Sequence, residues 1–336
     1  MKSPVTQRDI AQKLGLSIAT VSRALNDQPG VSPEIRAQVL EAAREMGYFP
    51  HLPARSLVTA TTHTVAFVFH SEHAASDDPF YPIIMTGAES YLSQQGYHIL
   101  MSTIGDQVLD NPHLFAPVSQ GLVDGLILAG PAIKPSFILA MLSAGIPLVL
   151  VDNSLPQTPV NCVLNDDEGG AYAAARHLIE HGYTRIAFLS GPEEWVSNRE
   201  RARGYCRALY EAGLEPLIVH ETETTIASGE RALRRLLEAH PDVQAICAVN
   251  DAVAIGAIRA AARMGRRTPG DLAVVGFDDI SWAQLNDPPL STVHVFKRQI
   301  GVLAAQRLLD CIQNPDAPPA RILVSTRLVL RASCGH

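Results

Sequence analysis

Through the first sixty residues, apolar positions recur at helical spacing between residues that start and stop helices. Thr6 stands as an N-cap with Asp9 three positions on, and Val5 and Ile10 occupy the two positions of a hydrophobic staple, so a helix is predicted from Gln7 to Leu14. Gly15 supplies the left-handed residue that ends it, and Ser17 caps a second helix, Ile18 to Leu25. Two helices crossing steeply over so short a turn need a small residue in the first, a glycine between them and an apolar residue in the second. Ala11, Gly15 and Val21 meet those needs, which is the helix-turn-helix arrangement. A third helix begins with Ser32 as cap and Pro33 at its first position, and puts Ile35, Val39, Ala42, Ala43 and Met46 on one face before Gly47 stops it. The outward side of the second helix carries Ile18, Ala19, Ser22 and Arg23, which suits a major groove better than another protein core.

From Thr64 the period changes. Short β-branched runs ("TVAFVF", "YHILMS", "DGLILAG", "PLVLVD") alternate with helical stretches near 82–95 and 136–144. A second series is expected to start at "NCVLND" and to run through "RIAFLSG", "AICAVND" and "LAVVGFDD" with helices between. Such βα repetition predicts parallel sheets with helices on both faces, and two series predict two doubly wound subdomains. Ligands bind beyond the carboxyl ends of such strands, so the cleft between two facing sheets is the natural site. Polar residues gather at those ends: Asp152, Asn250-Asp251 and Asp278-Asp279. Each could simply cap a helix or make a turn, but their recurrence after successive strands favours a site.

Composition narrows the picture. The chain has 336 residues, 47% hydrophobic and 18% charged, with no apolar run long enough for a membrane span and no apolar leader after Met1; a cytoplasmic protein with no membrane partner is expected. The net charge of −7 divides unevenly: residues 1–60 carry seven Lys and Arg against five Asp and Glu, leaving −9 on the rest. Attraction to phosphates is therefore confined to the N-terminal part. The five cysteines include no CxxC pair and no histidine at zinc-ligand spacing, so they read as structural thiols and no metal is expected. No GxGxxG after a strand, no GxSxG and no GxxxxGK[ST] occur, so no cofactor and no catalytic constellation are expected. A sugar-binding protein and a sugar-processing enzyme using the Asp residues as acid and base are the competing classes.

"VTQRDIAQKLGLSIATVSRALN" followed by "VSPEIRAQVLEAAREMGYFP" resembles the N-terminal signature of the LacI/GalR repressors, and "HLIEHGYTRIAFLSGP", "RARGY", "VNDAVAIGA", "VVGFDD" and "PPLSTV" resemble family landmarks in family order. The resemblance implies an all-α helix-turn-helix headpiece joined to an α/β core of two periplasmic-binding-protein-like subdomains. It divides the chain into a headpiece at 1–48, a hinge at 49–61, a core N-subdomain at 62–161 plus 293–323, and a core C-subdomain at 162–292 plus 324–331. It implies a homodimer that binds a pseudo-palindromic operator in double-stranded DNA, with Ile18, Ala19 and Arg23 reading bases and Ser17, Thr20 and Ser22 holding phosphates. Only Arg23 has the bidentate donors that favour guanine.

"ARSL" is similar to the family's hinge helix, in which a leucine, here Leu57, wedges into the minor groove. Val58 follows it where a basic residue is common, leaving Arg55 as the hinge's only full positive charge. The effector contacts implied are Phe80, Asp152, Ser197, Arg201, Asn250 and Asp278, with Trp195 near them as a face for a pyranose ring. Thr224 stands where the family often has an aromatic that closes over the ligand. One apolar face ringed by charged and amide groups favours a sugar or sugar derivative as effector over a purine.

Overall fold

A computed structural model of the chain describes residues 5–25, 28–48, 61–72 and 79–335. The chain forms two compact units, Met1–Thr62 and His63–His336.

The first unit holds helices α1 (Gln7–Leu14), α2 (Ile18–Leu25) and α3 (Pro33–Met46). The boundaries at Thr6, Gly15, Ser17, Ser32 and Gly47 have their expected causes. The Thr6 hydroxyl accepts the Asp9 N–H while the Asp9 carboxylate accepts the Thr6 N–H at 2.7 Å, closing a capping box. Gly15 ends α1 at φ +67°, and Ser32 and Gly47 bound α3. Ile10, Ala11, Val21, Ala24, Val39, Ala42 and Ala43 form the small core, and a Lys13–Glu45 ion pair of 2.7 Å joins α1 to α3 at the surface.

The second unit begins with β1 (Thr64–His70), α4 (Phe80–Leu92), β2 (His98–Ile104), the short α5 (Asp106–Asp110) and α6 (Ala116–Ser119), β3 (Gly125–Ala129), α7 (Pro135–Ser143), β4 (Leu148–Val151) and β5 (Cys162–Asn165). It continues through α8 (Asp167–Glu180), β6 (Ile186–Ser190), α9 (Val196–Glu211), β7 (Leu217–His220), α10 (Ile226–Ala239), β8 (Ala245–Ala248), α11 (Asp251–Arg263), β9 (Ala273–Asp278), α12 (Ser281–Leu285) and β10 (Ser291–His294). It ends with α13 (Lys297–Gln313), β11 (Arg321–Val324) and β12 (Arg327–Val329). Two six-stranded sheets result, ordered β2-β1-β3-β4-β5-β11 and β7-β6-β8-β9-β10-β12. Among the described residues every ladder is parallel except β10 with β12. Both faces of the first sheet are covered: Val65, Phe67 and Phe69 enter one core and Ala66 and Val68 another, which is why β1 reads as a continuous apolar run.

The subdomain boundaries expected from the sequence need correction. Cys162–Asn165 does not open the second sheet; it pairs with β4 and β11 in the first. Val293 and His294 stay in the second sheet beside β9, and Val324 stays in the first beside β5. The chain thus passes between sheets after Asn165, after His294 and after Val324. Period and composition identify a strand but not the neighbour that accepts its hydrogen bonds, so strand order was not legible.

Helices on these sheets meet closely at glycines. A Cβ on Gly87 of α4 would fall on the carbonyl oxygen of Arg298, and one on Gly301 of α13 would fall on that of Ile84. The missing side chains let the two backbones touch, outweighing the helix-propensity cost of glycine.

Candidate functional site

The carboxyl ends of β4, β8 and β9 and the starts of α4 and α9 converge on one cleft within the second unit. Phe80, Asp152, Trp195, Ser197, Arg201, Asn250 and Asp278 all line it. Tyr81, Pro131, Asn198, Thr224 and Val249 complete the wall. Asp152 and Asp278 carry φ of +54° and +104°, backbone that side-chain-bearing residues rarely adopt, and both sit where a strand ends at the cleft.

Arg201 is the hub. It is 5% exposed and donates from Nε to Asp167 at 2.8 Å and from Nη1 to the Val249 carbonyl at 2.6 Å, with Nη2 3.3 Å from Asp278. Burial works against its charge, but Asp167, Asp278 and Asp152 outweigh that and hold its pKa above the ordinary value. Asp152 accepts a hydrogen bond from the Tyr81 hydroxyl at 3.0 Å. Burial, followed by the charge of Asp167, pushes its carboxyl up to about 7, with Arg201 and Tyr81 pulling the other way. Asp167 is raised too, burial outweighing its guanidinium partner.

Two helix-cap readings separate here. Asn250 is both cap and wall: Oδ1 accepts the Val253 N–H at 2.9 Å, and Nδ2 donates to the Thr224 carbonyl at 3.0 Å, fixing the loop that carries Thr224 into the cleft wall. Asp251 is structural. It is fully buried outside the lining, accepting from Thr292 Oγ1 at 2.5 Å and from the Ile280 N–H at 2.8 Å. Asp279 likewise pairs with His294 and Arg331, each at 2.7 Å, away from the cleft wall. Trp195 is partly exposed and precedes α9. Sequence reasoning missed Tyr81 and Asn198, whose only signal was adjacency to Phe80 and Ser197. It also missed Asp167, which "NDDEGG" disguised as an ordinary helix start.

In the first unit, Val21 and Ala24 turn inward while Ile18 is 45% exposed and Ser17, Ala19 and Arg23 are exposed beside it. Thr20 and Ser22 are half-buried. Ser17 Oγ accepts the Thr20 N–H at 3.0 Å and lies 2.8 Å from the Thr20 hydroxyl, so this residue caps α2. Arg55 and Leu57 lie outside the described residues.

The model of the bacterial regulatory proteins, lacI family, matches residues 6–51, and that of a periplasmic binding protein-like domain matches 175–334. The HTH-type transcriptional regulator CelR of Thermobifida fusca is 35% identical over 329 residues, 96% of each chain. The chain belongs to the lacI family of bacterial regulatory proteins. This regulator is also 31% identical to the HTH-type transcriptional repressor PurR of Aliivibrio fischeri strain ES114, over 98% of each chain. Among solved structures it is similar to a CelR–cellobiose complex (TM-score 0.76, 33% identity, covering 98% of this chain and 99% of that one). It is similar also to the lac repressor dimer bound to operator and the anti-inducer ONPF (TM-score 0.87, 28% identity, covering 98% and 99%). The regulator is accordingly a DNA-binding transcription factor with a periplasmic-binding-protein-like core. Among the described residues no helix is long and apolar enough to cross a membrane.

Proposed function

We propose that this regulator represses transcription as a homodimer on a pseudo-palindromic operator, and that a carbohydrate-type effector in the cleft controls its operator affinity. The observation that carries the effector assignment is the convergence of Asp152, Arg201, Asn250 and Asp278 with the rings of Phe80 and Trp195 on one cleft. Carboxylates, an amide and a guanidinium match a rim of hydroxyls, which both donate and accept, and an aromatic face matches the C–H face of a sugar ring. The similarity to a regulator solved with cellobiose supports the same class.

On DNA, Ile18, Ala19 and Arg23 read base edges, Ser17, Thr20 and Ser22 hold phosphates, and Arg55 and Leu57 act in the hinge, Leu57 as a minor-groove wedge. Effector binding biases the angle between the two sheets' subdomains and, through it, the spacing of two headpieces. Reciprocity requires that operator and effector change each other's affinity by the same factor. Calorimetric titration of the whole protein with sugars and nucleobases, with and without operator, tests the reading. A sugar whose affinity shifts when operator is present is expected; binding of nucleobases and of no sugar would reassign the effector.

A further inference from the structure

We infer that Asp167, standing behind Arg201 and outside the cleft wall, sets the charge selectivity of the cleft, restricting the effector to molecules without negative charge. This rests on the reading of the cleft as the effector site and names the class within it.

Among the described residues, Arg201 is the only lysine or arginine on the wall. A guanidinium recognises a carboxylate or phosphate by presenting two idle N–H groups along one edge. Here Nε donates to Asp167 and Nη1 to the Val249 carbonyl, while Nη2 lies 3.3 Å from Asp278, so an anion reaching the remaining N–H groups would have to share the guanidinium with carboxylates already beside it. Three carboxylates, Asp152, Asp167 and Asp278, surround this one cation, and all four groups are less than a tenth exposed, so water and salt screen them little. Behind the wall a second buried cation, Lys297, donates to the main-chain carbonyls of Asp278 and Asp279 with the Phe80 ring beside it and also acts on the buried Asp251, while Asp279 faces Arg331 and His294; the carboxylates nearest the guanidinium still outnumber it three to one. Burial first and the charge of Asp167 second push the Asp152 carboxyl up, the direction that crowding of negative charge around one cation gives. An anionic sugar would add a fourth negative charge. Neutral hydroxyls, by contrast, donate to Asp152 and Asp278 with no such cost.

A purely structural Asp167 would hold Arg201 in place and leave charge selectivity unaffected by its own ionisation. Asp167→Asn separates the two roles, since the amide oxygen still accepts from Nε while one negative charge disappears. The test is calorimetry on the full-length protein with glucose, galactose, ribose and cellobiose, each beside its acid and its phosphate ester. In the wild type the neutral sugar that binds should do so about 10- to 50-fold more tightly than its anionic counterparts, as expected for one added like charge at an intermediate dielectric. Asp167→Asn should cut that ratio to about a third or less while neutral-sugar affinity stays within about threefold, and Asp167→Glu should restore it. Asp167→Ser serves if the Asn variant does not fold. An anionic sugar binding the wild type as well as its neutral counterpart overturns the inference and leaves the carbohydrate reading intact. An unchanged ratio in Asp167→Asn removes Asp167 from the role. Binding of nucleobases and no sugar overturns the reading and the inference together.

Discussion

The guanidinium carbon of Arg201 lies 3.8 Å from the centre of the Phe277 ring, while the next residue, Asp278, meets the same guanidinium through its carboxylate. Neighbours along an extended strand point to opposite faces. The left-handed φ of Asp278 ends that alternation, so two successive side chains of β9 reach one arginine, one by ring and one by charge.

This places Arg201 in the fold as well as in the cleft. Arg201→Ala leaves Asp167 buried without its guanidinium and should cost about 3–5 kcal/mol of stability, besides abolishing the effector response. Arg201→Lys keeps a charge but loses the fork and the ring contact; a smaller loss of stability and about tenfold or greater loss of effector affinity are expected. Thermal unfolding beside calorimetry distinguishes these, and sugar induction surviving in both variants would take Arg201 out of the site.

Asp152 makes stability depend on pH. Its carboxyl titrates at about 7 in the folded protein against an ordinary 3.8, so the folded state holds this proton more tightly than the unfolded chain. The stability it contributes is complete below about pH 4 and is lost as pH rises through about 7. Asp251, also pushed up to about 7 by burial, adds in the same direction. In Asp152→Asn the melting temperature should fall less between about pH 5 and about pH 8 than in the wild type, and the variant should be the more stable at the upper end. Parallel curves would contradict the buried position of this carboxyl.

Asp251→Ala should destabilise the protein by about 2–5 kcal/mol, because it strands the buried Thr292 hydroxyl and Ile280 N–H together. Urea unfolding reads the loss. Effector affinity in the remaining folded protein should stay within about threefold, since Asp251 is outside the wall; a larger drop would return it to the site.

Gly301→Ala forces a Cβ onto the Ile84 carbonyl oxygen, which is backbone and cannot rotate away. Helices α4 and α13 must separate, at a cost of about 1–3 kcal/mol. The melting temperature should drop accordingly, whereas Gly96→Ala, where nothing lies within 4 Å, should show only the penalty of its φ of +75°.

Arg23→Ala should weaken specific operator binding by about 1–3 kcal/mol and random-sequence binding much less. Fluorescence anisotropy with both DNAs decides it, because equal losses would make Arg23 a phosphate contact.

The helix-turn-helix was legible almost to the residue because its signals are local: Thr6 with Asp9, Gly15, Ser17, Pro33 and Gly47 act within one turn of where they stand. The polar strand ends were equally visible as residues, and three of the five singled out, Asp152, Asn250 and Asp278, line one cleft. Which of them face it was not visible. Asn250 and Asp251 are adjacent and similar in shape, yet Asn250 lines the cleft and Asp251 is consumed by Thr292 and Ile280, contacts 41 and 29 positions away. Nor could any local pattern send Cys162–Asn165 to the first sheet, or bring Asp167 to Arg201 across 34 positions. By itself the sequence determined the headpiece helices with their caps, most strands and helices of the core, and the inventory of polar side chains, all set by short-range sterics and hydrogen bonding. Tertiary structure alone decided strand order, the closeness of helices at Gly87 and Gly301, and the ring of carboxylates around Arg201, because those depend on which distant groups share one buried, weakly screened volume.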